Sequence, residues 1–476
     1  MPPSIRDGAL LAVAGAGLLG SQYVASRELG STFFVTELSI VATTVVTLIG
    51  PSLSYALGDR LRRAGAWLSV WALLAFLVHL SLPFSIRAVV GWLGATHPII
   101  AAAVTAGGVA LLCGYYAVLL PLRATTASLS FLYGAELCGA LLTLLLLAAA
   151  PSYRFVLLGF LLIPSGVAGV TFGRHAALLS LTIATLVWFA SPSLDRAVST
   201  HYFRHYHGLG TPNVIESVYS PYQRVDVVTD SGDTALFLDG VPFYRSGDLD
   251  AFNVILAELP GSLLPKRGSA LVVGSGSFSS AARLHRLGYS VQVMELDGLV
   301  ADLGFRHFAS IHKLKTGEVQ LQIADARQAL SQRQELFDLI VLDVPAPYRI
   351  QTALLHAPSF YRQVAAHLAP GGVVAISLCD GLHEPLGKRI ASSAAQVFAE
   401  LMVVESNTVG LGVLYGATRL PFAVSEVAAA LKEKDPQGGE VTPDRLIRNL
   451  VLDASPLSER DLLGVLLLSR QALAGQ

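Results

Sequence analysis

Charged side chains are scarce in this sequence, and lysine is absent before residue 266. Only 14% of the 476 residues are charged, whereas soluble globular proteins carry about 25%. The deficit is concentrated between residues 1 and 195, which contain nine arginines and six acids. The net charge is −1 and no long basic run occurs. We therefore expect no nucleic-acid partner, because such proteins usually carry a basic patch.

Cysteine is also rare, and its spacing does not suggest a metal site. The three cysteines are Cys113, Cys138 and Cys379, and two of them lie in apolar segments where small buried side chains are common. Three histidines occur between His201 and His207 without a nearby carboxylate or cysteine. Aromatic and basic residues are commonly mixed in this way at membrane surfaces. We expect no bound metal.

Long apolar runs, in contrast, dominate the first part of the chain. Mean hydropathy is +0.56, and 53% of the residues are hydrophobic. A helix needs about 20 apolar residues to cross a bilayer. Segments of this kind lie near 8–26, 34–57, 65–84, 98–120, 127–150, 154–173 and 175–192. The sequence therefore predicts a multi-pass transmembrane domain of about seven helices over 1–195, in a bacterial inner membrane.

The arginines of this part conflict with the count of spans. Arg60, Arg62 and Arg63 follow the second span and place that loop, together with Arg6, in the cytoplasm. Seven spans then put the rest of the chain outside, whereas a nucleoside ligand argues for the cytoplasm. A short or re-entrant piece within 81–97 would resolve the conflict. We expect the soluble domain to be cytoplasmic.

Two acids, Glu37 and Glu136, interrupt the apolar segments. An acid inside a membrane is costly and usually faces a partner or a cavity. One interpretation is a path for protons or substrate. The other is an acid at the interface, or one paired with arginine or tyrosine inside the bundle.

The rest of the chain has the composition of a soluble protein. Short alternating strands at 224–228 and 234–238 predict a small β subdomain over 210–262. From 266 to 418 strands and helices alternate, which is typical of a Rossmann-like α/β domain with a mainly parallel sheet. Strands are expected at 270–273, 290–296, 319–324, 338–342 and 372–378. Residues 419–476 are expected to form a helical tail with a polar linker at 433–443.

Within the α/β region, an apolar strand runs into the glycine turn Gly274-Ser275-Gly276-Ser277. A second strand ends in Glu295 about twenty residues later. This spacing is typical of nucleoside-binding domains, where an acid holds the ribose hydroxyls. Asp325 and Asp343 follow later strands. Ligands of such sheets bind beyond the carboxyl ends of the strands, so we expect these four features to meet there.

These motifs, with others in the same order, resemble the spermidine synthase family of aminopropyltransferases over about 210–415. The resemblance implies that the domain binds an adenosyl sulfonium as substrate, with no metal. The further motifs are Glu216-Ser217, Ser220-Pro221-Tyr222-Gln223, Leu238-Asp239-Gly240 with Asp248, Ala324-Asp325-Ala326, and Phe360-Tyr361 with Pro370-Gly371-Gly372.

The resemblance also implies a role for each site residue. Glu295 would bind the ribose diol, and Asp325, next to Ala326, would bind the adenine amino group. The turn with Gly274, Gly276 and Ser277 would pass beside the sulfonium. Tyr222 and Gln223 would line the pocket of the transferred chain. Asp343 would act at the reacting centre as a base or as an electrostatic stabiliser.

The sequence departs from the family where the family holds a polyamine. Ser277 replaces the acid of the glycine turn, and Phe243 replaces a glutamine. Phe252-Asn253-Val254 stands for the family's Tyr-His-Glu. In Asp343-Val344-Pro345-Ala346, the second acid of the family motif is lost. Each ammonium of a buried polyamine needs an anionic partner, so the departures weaken a polyamine site.

We therefore hypothesise a membrane-bound relative that uses S-adenosylmethionine itself. It would cleave the Cγ–S bond and release 5′-methylthioadenosine, by internal attack that forms a lactone or by elimination. A first alternative is a true aminopropyltransferase that uses decarboxylated S-adenosylmethionine and an amine, with acids such as Asp380 or Glu384 in its pocket. A second is a membrane transporter or regulator that senses a nucleoside. The resemblance further implies a homo-oligomer.

Overall fold

The computed structural model describes residues 3–33, 37–63, 65–124, 127–247, 250–435 and 437–458, together with 464, 465 and 468. The side chains of residues 3, 33, 37, 38, 59, 65 and 66 are outside that description, and so are Asp248 and the contacts of Glu37. The chain divides into two compact units. The first contains Met1–Val35, Ser39–Ser231 and Leu238–Val241, and the second contains Thr36–Leu38, Gly232–Phe237 and Pro242–Gln476.

Long helices build most of the first unit. They are α1 (Pro3–Phe33), α2 (Glu37–Ala56), α3 (Gly58–Arg62), α4 (Gly65–Val89), α5 (Pro98–Arg123), α6 (Leu129–Ala149), α7 (Tyr153–Phe172) and α8 (Arg174–His205). A π-helical turn, Val90–Gly94, continues the end of α4. Among the described residues, seven of these helices are long and apolar enough to cross a membrane, all but α3. The stretch 81–97 contributes no additional span.

Small residues let two of these helices approach closely. A side chain at Gly15 of α1 would lie 1.9 Å from the carbonyl oxygen of Glu136, and one at Gly139 of α6 would lie 1.8 Å from that of Ala12. Contacts of this kind stabilise pairs of apolar helices, because small residues let the two backbones approach and pack closely. The outer faces carry exposed leucines such as Leu145, which is 59% exposed.

The last long helix differs from the sequence prediction. The predicted span ended at Pro192, but α8 continues through this proline to His205. Hence His201 and His205 lie on this helix. Two strands follow in the same unit, β1 (Asn213–Tyr219) and β2 (Arg224–Asp230), and they pair in antiparallel fashion. Their connecting turn contains Tyr222 and Gln223.

The second unit begins with a β-hairpin and is built around one large sheet. The hairpin strands are β3 (Asp233–Leu238) and β4 (Val241–Arg245). The sheet contains β5 (Ser269–Gly274), β6 (Ser290–Glu295), β7 (Gln320–Ile323), β8 (Phe337–Asp343), β9 (Leu368–Ser377), β10 (Glu400–Ser406), β11 (Leu411–Ala417) and β12 (Gly439–Pro443). Their order is β12-β10-β11-β9-β8-β5-β6-β7. The five predicted strands correspond to β5–β9.

Helices connect these strands and cover the sheet. They are α9 (Asp250–Asn253), α10 (Leu259–Leu263), α11 (Ser279–Arg286), α12 (Gly298–Phe308), α13 (Ala326–Ser331), α14 (Ile350–Ala353), α15 (Pro358–Ala366), α16 (Pro385–Ala395), α17 (Val424–Lys434) and α18 (Asp444–Leu450). A π-helical segment (Val254–Glu258) and a 3-10 turn (Leu354–His356) lie among them.

The sheet is covered on both faces, which is typical of a Rossmann-like α/β domain. Ala270 and Val272 of β5 point into one hydrophobic core, and Leu271 and Val273 point into another. Strands β5 to β9 pair in parallel, which requires helical crossovers between them. The remaining strands add an antiparallel edge. One strand of that edge, β12, occupies part of the expected polar linker at 433–443.

Candidate active site

The strand order predicts a ligand crevice at the carboxyl end of β5. This strand has β6 on one side and β8 on the other, and the chain continues from β6 to β7 and from β8 to β9 in opposite directions. Crevices form where strand order reverses in this way. Gly274 and Asp343 are direct partners in the register of β5 and β8. Glu295 is the last residue of β6.

Gly274 is required by the close approach of these two strand ends. Its φ is +87°, and a side chain there would lie 1.9 Å from the carbonyl oxygen of Asp343. Any other residue would meet both backbone strain and a steric clash. Gly274 was expected to lie beside a ligand, but its missing side chain first serves the close approach of the β8 backbone.

The rest of the turn is packed against α12. A side chain at Gly276 would lie 2.6 Å from Val300, and one at Gly304 would lie 1.8 Å from the carbonyl oxygen of Gly276. Ser275, also at positive φ, is buried, and its Oγ has no hydrogen-bond partner among the described residues. Ser277 is equally buried, and its Oγ accepts the N–H of Ser279 at 3.3 Å. The turn therefore presents two buried hydroxyl groups.

Glu295 is held by its neighbour Asp297, a residue to which the sequence analysis gave no role. One oxygen of Glu295 accepts the Asp297 N–H at 3.0 Å, and Asp297 accepts the Leu299 N–H at the start of α12. Burial raises the pKa of Glu295 to about 7; the Asp297 N–H opposes this rise, and the negative charges of Asp297 and Asp343 add to it. An acid followed by glycine at a strand end is the signal that would have identified this helix cap.

Asp325 lies beside Glu295 along the same edge. The N–H of Ala324 donates to the carbonyl oxygen of Glu295 at 2.9 Å, which joins the two strand ends. Asp325 is exposed, and its Oδ1 accepts the N–H of Arg327 at 2.8 Å as the cap of α13. Ala326, the first residue of that helix, is buried. The predicted base-contacting pair therefore stands next to the predicted ribose ligand.

Asp343 is a buried acid at the centre of this edge. It is 9% exposed, and burial alone raises its pKa from an ordinary 3.8 to about 7. A carboxyl group in this state holds a proton readily and releases it when a cation approaches. The group therefore suits a site for a positively charged ligand or a proton transfer near neutral pH.

A further acid extends the site along β9. Burial, together with the charges of Asp343 and Asp380, raises the pKa of the Cys379 thiol to about 12, although the Ser377 hydroxyl opposes it. The thiol thus lies within electrostatic reach of both carboxylates. Asp380 is half-buried and accepts the N–H of Gly381 at 2.9 Å. It follows the end of β9, which is parallel to β8.

The positions that depart from the family have structural contacts here. The amide oxygen of Asn253 accepts the hydroxyl of Ser280 at 2.7 Å, which ties α9 to α11. Val344 is buried in the apolar core. Phe243 lies near the glycine turn, 3.6 Å from the place of a side chain at Gly276. These three side chains supply no negative charge.

The structure thus gathers Gly274, Gly276, Ser277, Glu295 and Asp343 at one sheet edge, with Asp325 and Ala326 beside them. Tyr222 and Gln223 belong to the first unit, and their role stays a prediction. Tyr222 is 49% exposed. Within the described ranges, no group of three or more histidine, cysteine or acidic side chains is arranged to hold a metal ion.

Comparison with known proteins gives the same family as the motifs. A model described as a spermine/spermidine synthase domain matches residues 250–409. A polyamine aminopropyltransferase of Leptospira biflexa is 28% identical over 165 residues, covering 34% of this chain and 58% of the relative. A spermidine synthase of Coffea arabica is 29% identical over 199 residues, covering 40% and 62%. The chain thus spans little more than half the length of the first of these relatives.

Among solved structures, a spermidine synthase from Thermotoga maritima aligns with 18% identity and a TM-score of 0.42, covering 50% of this chain and 87% of that one. Residues 250–409, which the family model matches, contain β5 to β9, the glycine turn and all of the acids described above. Residues 250–409 of this chain are therefore similar to the spermine/spermidine synthase domain.

Proposed function

We propose that this protein is a membrane-anchored enzyme that transfers the three-carbon amine chain of decarboxylated S-adenosylmethionine to an acceptor amine. Homology to aminopropyltransferases supports an enzyme of this class. The observation that carries the proposal is the pair of acids at two strand ends, half-buried Glu295 and buried Asp343, on either side of the Gly274 turn. The carboxylate of Glu295 would accept both ribose hydroxyls, and Asp343 would face the reacting carbon.

In the proposed reaction the amine nitrogen attacks the carbon attached to the sulfonium. A C–N bond forms, the C–S bond breaks, and its electron pair neutralises the sulfur, which leaves as 5′-methylthioadenosine. The attacking nitrogen gains positive charge and must lose a proton. Asp343 would accept that proton, because a pKa of about 7 matches a general base at neutral pH. Its negative charge would also stabilise the cationic nitrogen as it forms.

Asp380 supports an amine as the acceptor. Its carboxylate and that of Asp343 both act on the Cys379 thiol, so two anions follow neighbouring strand ends. An acceptor with one or two ammonium groups needs this kind of charge match when it leaves water. Asp380 therefore offers part of the negative charge that the family holds at the positions occupied here by Val254 and Ala346.

A second reaction is favoured by the glycine turn. Ser277 stands where the family has an acid, and the buried Ser275 Oγ has no partner among the residues that the structure describes. Two hydroxyls suit the carboxylate of intact S-adenosylmethionine, which an acid would repel. With that substrate, its own carboxylate would attack Cγ and form a lactone, or elimination would break the same C–S bond.

One experiment separates the two reactions. Purified protein in detergent is given decarboxylated S-adenosylmethionine with putrescine, each of them alone, and intact S-adenosylmethionine alone, and 5′-methylthioadenosine is quantified by chromatography. We expect product only when decarboxylated substrate and amine are both present, together with an aminopropylated amine. Product from S-adenosylmethionine alone would favour internal cleavage. Absence of 5′-methylthioadenosine in every mixture would refute both reactions.

We further propose that the seven long helices span a bacterial inner membrane and that the active site faces the cytoplasm, where ATP-dependent synthesis supplies sulfonium substrates. Their length, composition and exposed leucines support the membrane assignment. The arginine bias opposes this orientation: if Arg6 and the arginines near Arg60 lie in the cytoplasm, seven crossings put β1 and β2 outside. Labelling of an engineered surface cysteine on α17 in intact and opened cells distinguishes the two orientations.

A further inference from the structure

His356 is a buried histidine to which the proposed reaction gives no role. It ends the 3-10 turn that precedes α15, and its side chain is fully buried. Each ring nitrogen has a polar neighbour. Nε2 lies 3.1 Å from the carbonyl oxygen of Pro345, and Nδ1 lies 3.2 Å from the hydroxyl oxygen of Tyr361. One imidazole therefore joins two other parts of the second unit.

The direction of these two hydrogen bonds follows from their partners. The carbonyl of Pro345 can only accept, so Nε2 carries the proton and donates it. Nδ1 then has a free lone pair, which accepts the O–H of Tyr361. Burial lowers the pKa of His356 to about 4, although the bond to Pro345 opposes this, and burial raises the pKa of Tyr361 well above its usual value. At neutral pH a single neutral tautomer therefore completes the chain from the tyrosine hydroxyl to the proline carbonyl.

The held carbonyl belongs to the segment that leaves β8 directly after Asp343. This segment can make few backbone hydrogen bonds, because Pro345 and Pro347 have no N–H group. The N–H of Tyr348 donates to the carbonyl oxygen of Ala346 at 2.8 Å. The bond from the imidazole therefore restrains a stretch whose own backbone supplies little restraint.

The carboxyl group of Asp343 depends on this backbone for its position. Burial alone raises its pKa, so no hydrogen bond from a described residue orients its oxygens. On one side the backbone is fixed where Gly274 meets the Asp343 carbonyl, and on the other side by the bond from His356 to Pro345. A general base must come within about 2.6–3.2 Å of the atom that gives up its proton, so a small displacement of the backbone costs rate.

We propose that His356 is a positioning residue of the active site: its Nε2–H holds the carbonyl of Pro345 and thereby fixes the backbone that orients Asp343 toward the attacking nitrogen. This inference rests on the proposed function, which makes Asp343 the proton acceptor. Tyr361 has a supporting part, because its hydroxyl keeps the imidazole in the tautomer that donates to Pro345. All four residues belong to the second unit.

The test compares His356→Leu with a matched change at another buried histidine. The ring nitrogens of His367 lie 2.7 and 3.3 Å from the carbonyl oxygens of Gln363 and Arg333. The carbonyl of His367 accepts the N–H of Phe337, the first residue of β8, so this histidine stands at the end of the strand opposite the candidate active site. His367→Leu therefore removes a buried histidine with two backbone contacts and leaves the active-site edge intact.

Two further variants complete the comparison. His356→Gln keeps one neutral donor and one acceptor on the same side chain and is the conservative change. Tyr361→Phe removes only the hydroxyl that selects the tautomer, and it tests the chain of bonds if His356→Leu does not fold. Folding of each full-length variant is checked by thermal unfolding in detergent.

We expect His356→Leu to lower kcat about tenfold, because the base is misplaced, while the KM for the acceptor amine and the affinity for 5′-methylthioadenosine change less than about twofold. His356→Gln should stay within about threefold of the unmodified protein, and Tyr361→Phe should lose about threefold. His367→Leu should keep kcat within about twofold even if its unfolding midpoint falls. In the pH profile of kcat/KM, the acid limb set by Asp343 near pH 7 should move to lower pH in His356→Leu only, because water then reaches the carboxyl group.

Hydrogen exchange gives a readout that needs no turnover. The Tyr348 amide should exchange about tenfold faster in His356→Leu and at an unchanged rate in His367→Leu. The Leu339 amide in the middle of β8 is the internal reference and should change less than about twofold. A tenfold change corresponds to about 1.4 kcal/mol.

Equal losses of kcat in His356→Leu and His367→Leu, or an acid limb that does not move, would overturn the positioning role. Unchanged exchange at Tyr348, or equal acceleration at Leu339, would do the same, because the segment would then be held elsewhere or the whole unit would have loosened. If the unmodified protein shows no turnover, the proposed function fails, and the exchange experiment still decides whether His356 holds the segment.

Discussion

Replacing Asp343 by asparagine should stabilise the protein above neutral pH while abolishing turnover. The folded pKa of Asp343 is raised from 3.8 to about 7 by burial. Below pH 4 the carboxyl group is protonated in both the folded and the unfolded chain, so it has no effect on the pH dependence. Between pH 4 and 7 the unfolded chain releases the proton and the folded chain keeps it, so stability falls as pH rises. Above pH 7 the carboxyl group is ionised in both states, and stability falls no further.

The magnitude follows from the shift. About three pKa units at about 1.36 kcal/mol each give roughly 4 kcal/mol at pH 8. For a domain of this size, 1 kcal/mol moves the unfolding midpoint by about 2–4 °C, so the variant should melt roughly 8–16 °C higher than the unmodified protein at pH 8. Asparagine does not titrate and keeps the volume of the side chain. At pH 5 the difference should shrink to a few degrees.

The assay is thermal unfolding of the detergent-solubilised protein between pH 5 and 8, with turnover measured on the same samples. Glu433→Gln, which changes an exposed acid on α17, is the matched control and should give no pH-dependent difference. A cation in the site favours the ionised acid, so sulfonium affinity should rise with pH up to about 7 in the unmodified protein only. An Asp343→Asn protein that melts lower at pH 8, or that keeps its turnover, would refute the reasoning.

Two further changes test contacts that hold each of the two units together. Gly274→Ala should lower the stability of the second unit by at least about 1–3 kcal/mol, because it combines positive φ with a clash against the Asp343 carbonyl; an unchanged unfolding midpoint would contradict this. Asp226→Ala should lower the free energy of unfolding by about 3–5 kcal/mol, because it leaves Arg87 and Arg224 without the acid between them. An unchanged thermal unfolding midpoint and an unchanged size-exclusion profile of the purified protein would contradict this.

Much of the architecture could be predicted from the sequence because it depends on local patterns of apolar and polar residues. The seven long helices follow from apolar runs of membrane length, and β5 to β9 follow from apolar strands that alternate with helices. The acids Glu295, Asp325 and Asp343 could be assigned to one edge, since parallel strands bring their carboxyl ends together. For Glu136, the contacts agree with the interpretation of an acid paired with tyrosine inside the bundle, because the Tyr55 hydroxyl donates to it at 3.3 Å.

The failures concern signals that depend on tertiary context. Pro192 suggested the end of a helix, but α8 passes through it, which a helix tolerates when nearby groups satisfy the freed carbonyl. The polar residues of β12 resembled a linker because the strand lies at a sheet edge, where one side faces water. Asp297 was overlooked since its role is to hold a neighbour rather than a ligand.

The hydrogen bonds that Arg27 of α1 and Arg87 of α4 donate to the β1–β2 part of the first unit could not have been inferred at all. The donor and acceptor in the Arg87–Asp226 pair are 139 positions apart, and those of Arg27 and Ser220 are 193 apart. No periodicity links residues at such distances, and a single arginine near the end of an apolar helix usually marks the membrane interface. Only the packing of α1 and α4 against β1 and β2 reveals these bonds.

Calorimetry with 5′-methylthioadenosine tests most directly whether the edge of β5, β6 and β8 is an adenosyl site. We predict one binding site per chain, a loss of affinity of about 10- to 100-fold in Glu295→Gln, the scale of a charged hydrogen bond, and nearly unchanged affinity in Asp343→Asn. Absence of binding to the unmodified protein, or equal losses in the two variants, would contradict the account.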